Sequence, residues 1–340
     1  RRKSYFLVTS TLAGLSGVAL GLLREHPYWP MAVLFTVMGF GLAFTDVLTD
    51  ALMVETGKPL GLTGAFQAVQ WAAIYIASVL VGEIGGGFAE GRDLRSGFLV
   101  AAAFPLVSLV MVAIFVREPR VTADRAAFRE TWTAIRAALG ERSVWLVAGF
   151  ILCFTFSPSF GPPLLYYQTD VLKFSQQFIG RLLALAALGA VAGALLYAPL
   201  SRRVALRPLI NLSIGATVLA TLAYLRYRGP LSAAVIDTGY GVVYMVTQLA
   251  FLDLAAKACP RRVEATFFAL LMSVYNGGTQ GSQVVGGYLY DWIGYDRLII
   301  ISAATTALVW LLVPLVGIEG IEARARAANA AASSRAPTAA

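Results

Sequence analysis

The sequence predicts an all-α membrane protein with ten spanning helices, and three observations carry that expectation. The 340-residue chain is 58% hydrophobic and only 14% charged, with a mean hydropathy of +0.71. Soluble domains carry about 25% charged residues, and one of this length has no way to bury so much apolar surface. The apolar residues gather into ten stretches, each near or above the roughly 20 residues a helix needs to cross the hydrocarbon core. A weak internal repeat relates two pairs of these stretches. Backbone groups in lipid must be satisfied internally, so continuous runs of this length mean helices and not barrel strands.

The first group of stretches runs 5–23, 28–54, 64–88 and 97–116. The first is entered through Arg1-Arg2-Lys3, with no signal-peptide pattern. The second closes on "FTDVLTDALMVET", which places two aspartates four residues apart in an otherwise lipid-like segment. Residues 117–142 are the longest polar interruption. Within them Phe128, Trp132, Ile135 and Leu139 recur at helical spacing among Arg125, Arg129 and Arg136, which predicts a helix lying on the membrane surface. The second group runs 144–167, 176–200, 205–225, 231–256, 265–290 and 298–316. The expected organisation is a partial bundle over 1–116, a linker over 117–142, a six-helix bundle over 143–316 and a disordered Ala-, Ser- and Arg-rich tail over 317–340.

The net charge of +8 is a topology signal rather than a mark of nucleic-acid binding. With the amino terminus cytoplasmic, 19 of the 27 basic residues fall in inside loops or at the termini, as the positive-inside rule requires. Both termini of this chain are therefore expected in the cytoplasm, with the cell (inner) membrane as its location. Cys153 within a helix and Cys259 in an inside loop give no disulfide framework, and His26 reads as a solvated loop residue. "GEIGGG" (82–87) lacks the following Lys-Ser or Lys-Thr of a phosphate loop. No metal cluster, cofactor motif or nucleophilic triad is present in the sequence, so an enzyme is not expected.

Shifting the chain by 201 positions lays Phe66 on Phe267, Ala68 on Ala269, Gly85-Gly86 on Gly286-Gly287 and Glu90 on Asp291. Ala102-Ala103 then meets Ala303-Ala304, and Val112 meets Val313. Parallel halves related about the membrane normal are a transporter architecture. Six spans in the second half against four in the first predict that two helices of a twelve-helix fold precede Arg1.

Two parallel sixes, a long basic loop between them and a basic cluster entering the third helix resemble the major facilitator superfamily. Within it, "DVLTDALMVE" (46–55), "PPLLYYQTDVLKFSQQFIGRL" (162–182) and "ATFFALLMSVYNGGTQGSQVVGG" (265–287) are similar to the folate–biopterin transporter family. The resemblance implies alternating-access transport of folates or pteridines, in many members with protons, and hence a symporter. The alternatives are an exporter of drugs or metabolites within the same superfamily, or a membrane sensor that transports nothing.

Asp46 and Asp50 share one helix face. Counting from Pro30, Asp50 lies near the cytoplasmic edge and Asp46 about one turn deeper. Asp50, Glu55 and, on a later helix, Asp253 are expected at an inner gate, paired with Arg1, Arg2, Lys58, Arg261 or Arg262. Asp46 is expected to face the interior, either carrying a proton or accepting the amino and ring N–H donors of a pterin. Arg181 opens its helix at the outer end and Asp237 lies about 9 Å below the outer edge of its own. That arginine either attracts an anionic substrate, pairs with Asp237 or snorkels to the interface. Gln67, Trp71, Tyr75 and Ser78 form one face of 64–88, and the repeat lays Tyr75 on Asn276 and Ser78 on Thr279. These polar groups serve helix–helix hydrogen bonding or line a cavity in which Trp71 and Tyr75 stack on a flat heterocycle.

Overall fold

The computed structural model describes residues 2–23, 27–60, 63–91, 93–116, 132–133, 136, 139–259 and 264–333. The chain divides into two compact units, Arg1–Ala123 with Ser175–Ala184, and Asp124–Phe174 with Leu185–Ala340.

The first unit holds α1 (Arg2–Leu22), α2 (Tyr28–Leu60), α3 (Thr63–Glu90), α4 (Leu94–Phe115) and the opening residues of α7 (Gln176–Arg203). α1 packs against both α2 and α4. Gly14, Gly17 and Gly21 make that approach possible: a methyl on any of them would come within 2.8 Å of Leu106, Ala102 or Leu99 on α4. Lipid tails supply little drive for helix association, so small residues that let backbones close up do the work. On the other side Thr9 and Thr45 share a hydroxyl hydrogen bond of 3.0 Å between α1 and α2. Lys3 donates to the carbonyls of Ala113 and Val116, both at 2.8 Å. A lysine thus satisfies carbonyl groups that the end of α4 leaves open. At the other end of α4, Asp93 accepts the Ser96 N–H at 3.1 Å as an N-cap. Hydrogen bonding from the Ser96 side chain, and after it from the Ser96 N–H, holds the Asp93 carboxyl below the usual carboxylate range.

The second unit contains α5 (Arg142–Thr155), α6 (Gly161–Tyr166), the π-helical turn Tyr167–Val171, the rest of α7, α8 (Leu206–Ala223), α9 (Pro230–Ala258), α10 (Glu264–Ile293), α11 (Tyr295–Leu308), the short α12 (Val313–Val316) and α13 (Ile318–Ser333). Its core joins Phe150 and Ile151 of α5, Ile210 and Ile214 of α8, Phe251 and Leu254 of α9, and Leu271 of α10. Phe251 stacks on both Phe150 and Phe154, with ring centroids 5.3 and 4.2 Å apart.

Ten spans were expected; among the described residues eight helices are long and apolar enough to cross a membrane. Two expected spans depart from that pattern, each for a physical reason. The stretch 144–167 is interrupted over residues 156–160, where Pro158 is followed by Pro162 and Pro163, leaving α5 only 14 residues long. Neighbouring helices take up the backbone groups this break frees. Ser159 N–H donates to Ser282 O at 3.0 Å, and the Ser157 side chain adds a cross-link to Ser302 O at 2.9 Å. α10 is 30 residues long, but Asn276, Thr279, Gln280, Ser282 and Gln283 dilute its apolar character. Those polar residues face neighbours and the interior of the bundle as well as its surface.

The tail expected to be disordered is helical over Ile318–Ser333. Alanine is the strongest helix former, and the helix is anchored. Ile318 and Ile321 are buried in the core, and Glu319 pairs with Arg207 at 2.8 Å. The surface helix predicted within 117–142 falls mostly outside the described residues, as does His26. Where that stretch is described, Arg136 lies over the Trp132 ring at 5.8 Å.

Candidate functional site

A cavity of about 170 Å³ lies within the second unit, walled by α5, the broken segment that follows it, α8, α9, α10 and α11. The proline break opens it. Without helix over 156–160, Ser157, Ser159 and Phe160 turn their side chains into space that a continuous helix would fill. α9 contributes Tyr240, Tyr244, Thr247 and Gln248, and α10 contributes Tyr275, Thr279 and Ser282. The walls are cross-linked by neutral hydrogen bonds. Thr217 and Thr247 meet at 3.1 Å, Ser157 and Thr305 at 2.7 Å, and the Tyr275 hydroxyl donates to Gln248 Oε1. Among the described residues no charged side chain lines the cavity. Its chemistry is hydroxyls and one amide between aromatic rings, which suits a flat, heteroatom-rich ligand.

Asp237 lies apart from that lining. It is 7% exposed, and both its oxygens accept from phenols: Tyr224 at 2.8 Å and Tyr227 at 2.7 Å. Tyr227 in turn receives a hydrogen bond from Gln168. Burial, followed by the Asp237 charge, pushes the Tyr227 hydroxyl well above its ordinary pKa, which keeps it a donor. Tyr224 meets the ring of Tyr240 edge-on at 5.4 Å, so one aromatic residue separates the buried carboxylate from the cavity. Arg181, for which pairing with Asp237 was one of three alternatives, lies 3.4 Å from Glu83, a residue to which the sequence assigned nothing. Glycines explain the pairing. Gly82 and Gly86 of α3 lie against the start of α7, where a methyl on Gly86 would come within 3.0 Å of the Gln176 carbonyl. Glu90 also accepts the Gln177 N–H at 3.3 Å.

In the first unit Asp46 is exposed on α2. Asp50, one turn on, accepts from the Gln70 amide of α3 at 2.8 Å. The side chains of Arg1, Arg2 and Lys58, the basic partners expected for Asp50, lie outside the described residues, as do those of Glu55, Gln67 and Trp71. Tyr75 is half-buried, and the Ser78 hydroxyl turns back onto the Ile74 carbonyl at 2.9 Å. Asp253 pairs with Lys257 on its own helix at 2.7 Å, while Arg261 and Arg262 are outside the described residues. Asn276 is exposed, and it is Tyr275 and Thr279 that face the cavity.

Sequence reasoning missed most of the α9 face. The signal was available: Asp237, Tyr240, Tyr244, Gln248 and Phe251 recur at steps of three and four, the spacing of one helix face.

Residues 1–280 match the family model described as Major Facilitator Superfamily. A relative named folate-biopterin transporter, from Synechocystis, is 27% identical over 345 residues, covering 94% of this chain and 68% of its own length. Among solved structures, the nucleoside transporter NupG superposes with a TM-score of 0.70 at 13% identity, covering 93% of this chain and 84% of that one. A D-xylose-proton symporter gives 0.70 at 14%, covering 92% and 80%. The resemblance to the folate–biopterin transporter family, drawn from the three quoted motifs, is borne out by the curated relative. The fold, the integral multi-pass character and the family match agree, and the chain belongs to the Major Facilitator Superfamily.

Proposed function

We propose that the chain is a secondary active transporter that moves folate or a pteridine across a membrane by alternating access, coupled to protons. The observation that carries this reading is the cavity of the second unit, walled by hydroxyls, one amide and aromatic rings. A pterin is flat and studded with donors and acceptors, and such a wall matches it without bringing a charge into the membrane. The cavity's 170 Å³ falls below the roughly 300–1,000 Å³ of drug-sized ligand pockets, so it receives one ring system and not a whole folate. Asp46 is the carboxylate proposed to read the pterin or take the proton, with Gln67, Trp71, Tyr75 and Asn276 beside the path. Asp50, Glu55 and Asp253 are proposed at an inner gate. Both termini are proposed to be cytoplasmic, in the cell membrane.

Uptake of labelled folate and biopterin into vesicles holding the full-length protein tests the reading. Concentrative uptake driven by an inward proton gradient is expected. Uptake of neither ligand moves the assignment to an exporter. Gln248→Leu removes the amide that Tyr275 donates to, so pterin uptake is expected to fall by about tenfold, the effect of one hydrogen bond left unmade in a dry site. Unchanged uptake by this variant would take the cavity out of the substrate path.

Arg181 offers a second discrimination. Folate ends in carboxylates that biopterin lacks, so Arg181→Ala is expected to reduce folate uptake much more than biopterin uptake. Glu83 competes for the same guanidinium at 3.4 Å. Glu83→Gln is therefore expected to tighten the apparent affinity for folate. Equal losses of both substrates in both variants would make the pair structural.

A further inference from the structure

We propose that an open groove on the second unit binds one anionic phospholipid, with its phosphate on Arg203 and its acyl chain between α7, α8 and α9. The groove encloses about 440 Å³ and is lined by Leu196 of α7, Leu212 of α8 and Val242 and Val246 of α9. Leu196 and Leu212 are each 56% exposed, so the groove opens sideways from helices that cross the membrane. Lipid tails are the only solvent such an opening meets at that depth.

One charged group distinguishes it from an ordinary greasy face. Arg203, the last residue of α7, is exposed at one end of the groove and has no partner among the described residues. Its neighbour Arg207 is already neutralised by Glu319 at 2.8 Å. Ser213 lines the groove on α8, is 1% exposed, and its hydroxyl has no hydrogen-bond partner. That oxygen is almost wholly enclosed, so it adds polarity behind the groove wall and is not a contact for the occupant. Guanidinium recognises phosphate by paired, charge-assisted bonds. The chemistry selects a phosphodiester with net negative charge over a zwitterion, whose own cation competes for the phosphate.

The groove shares Val243 and Thr247 with the polar cavity, so the acyl chain lies directly behind the cavity wall. The proposal does not depend on what that cavity carries.

Native mass spectrometry of the full-length protein, released from nanodiscs of equal phosphatidylglycerol and phosphatidylcholine, reads the site directly. One retained phosphatidylglycerol per chain is expected. Arg203→Ala is expected to cut its retention about tenfold while leaving the melting temperature in lipid-free detergent unchanged. Arg207→Ala is expected to leave retention unaltered. Val246→Trp fills the groove and is expected to remove bound lipid of either kind. Inorganic phosphate added alone is expected not to displace the lipid; displacement would reassign Arg203 to a soluble anion. Equal retention of the two lipids, or full retention by Arg203→Ala, overturns the proposal.

Discussion

Transport by Asp46→Asn is expected to fall to background while the protein reaches the membrane in normal amount. A carboxylate at the centre of a membrane helix disfavours insertion by roughly 2.5–3.5 kcal/mol and by less toward the interface, so Asp46, about one turn inside the end of its span, carries part of a cost that stability does not repay. Asp46 lies within the apolar span Tyr28–Asp50 and is exposed on α2. Asp50, four residues on, is held by Gln70 at 2.8 Å. Replacing Asp46 by the neutral isostere removes the charge and leaves volume unchanged, so insertion and folding have no reason to suffer. Only a role in which charge or protonation matters is lost. Asp50→Asn keeps an oxygen for Gln70 and is expected to retain part of its transport. The checks are proton-driven uptake at several pH values and the surface amount of each variant. Normal uptake by Asp46→Asn with an unchanged pH profile would remove it from the mechanism.

The fold was legible because lipid imposes a one-dimensional code. Apolar runs of about 20 residues mark helices whatever their neighbours do, but the span expected over 144–167 is cut after α5 at Pro158, Pro162 and Pro163. Pairings across helices were not legible, because they rest on three-dimensional approach. Nothing in the order of residues joins Glu83 to Arg181. The glycines that bring α3 onto the start of α7 do so, and they read as well for static packing anywhere in a membrane helix. Asp237 was legible as a residue out of place in a span but not as the acceptor of Tyr224 and Tyr227. Tyr224 falls at the very end of the expected span 205–225 and Tyr227 in the loop after it, and nothing in that order of residues turns either toward α9. The tail misled for a different reason: alanine and arginine mark disorder by composition and helix by propensity, and Ile318 and Ile321 decide between them by packing into the core.

Asp237→Ala is expected to cost the second unit more than any other single change considered. Two phenols converge on the Asp237 carboxylate at 2.7 and 2.8 Å, and the side chain is 7% exposed. Hydrogen bonds to a charged group each contribute about 1.5–3 kcal/mol, and truncation strands two buried hydroxyls besides. A loss of about 3–6 kcal/mol is a large share of the roughly 5–15 kcal/mol that holds a domain folded. Melting of the purified protein in detergent is expected to drop sharply, or expression to fail. Tyr224→Phe and Tyr227→Phe each remove one donor and leave the carboxylate the other, so each costs less. Residues sharing one acceptor couple, so the double phenylalanine variant is expected to lose more than the two single effects combined. Asp237→Asn separates structure from transport, because the amide oxygen still accepts from one phenol and its N–H₂ donates to the other. If that variant melts normally and transports with the wild-type pH profile, the cluster is a structural staple between the end of α8 and the start of α9. If it melts normally and loses the dependence on the proton gradient while still exchanging substrate, Asp237 is a site of proton coupling.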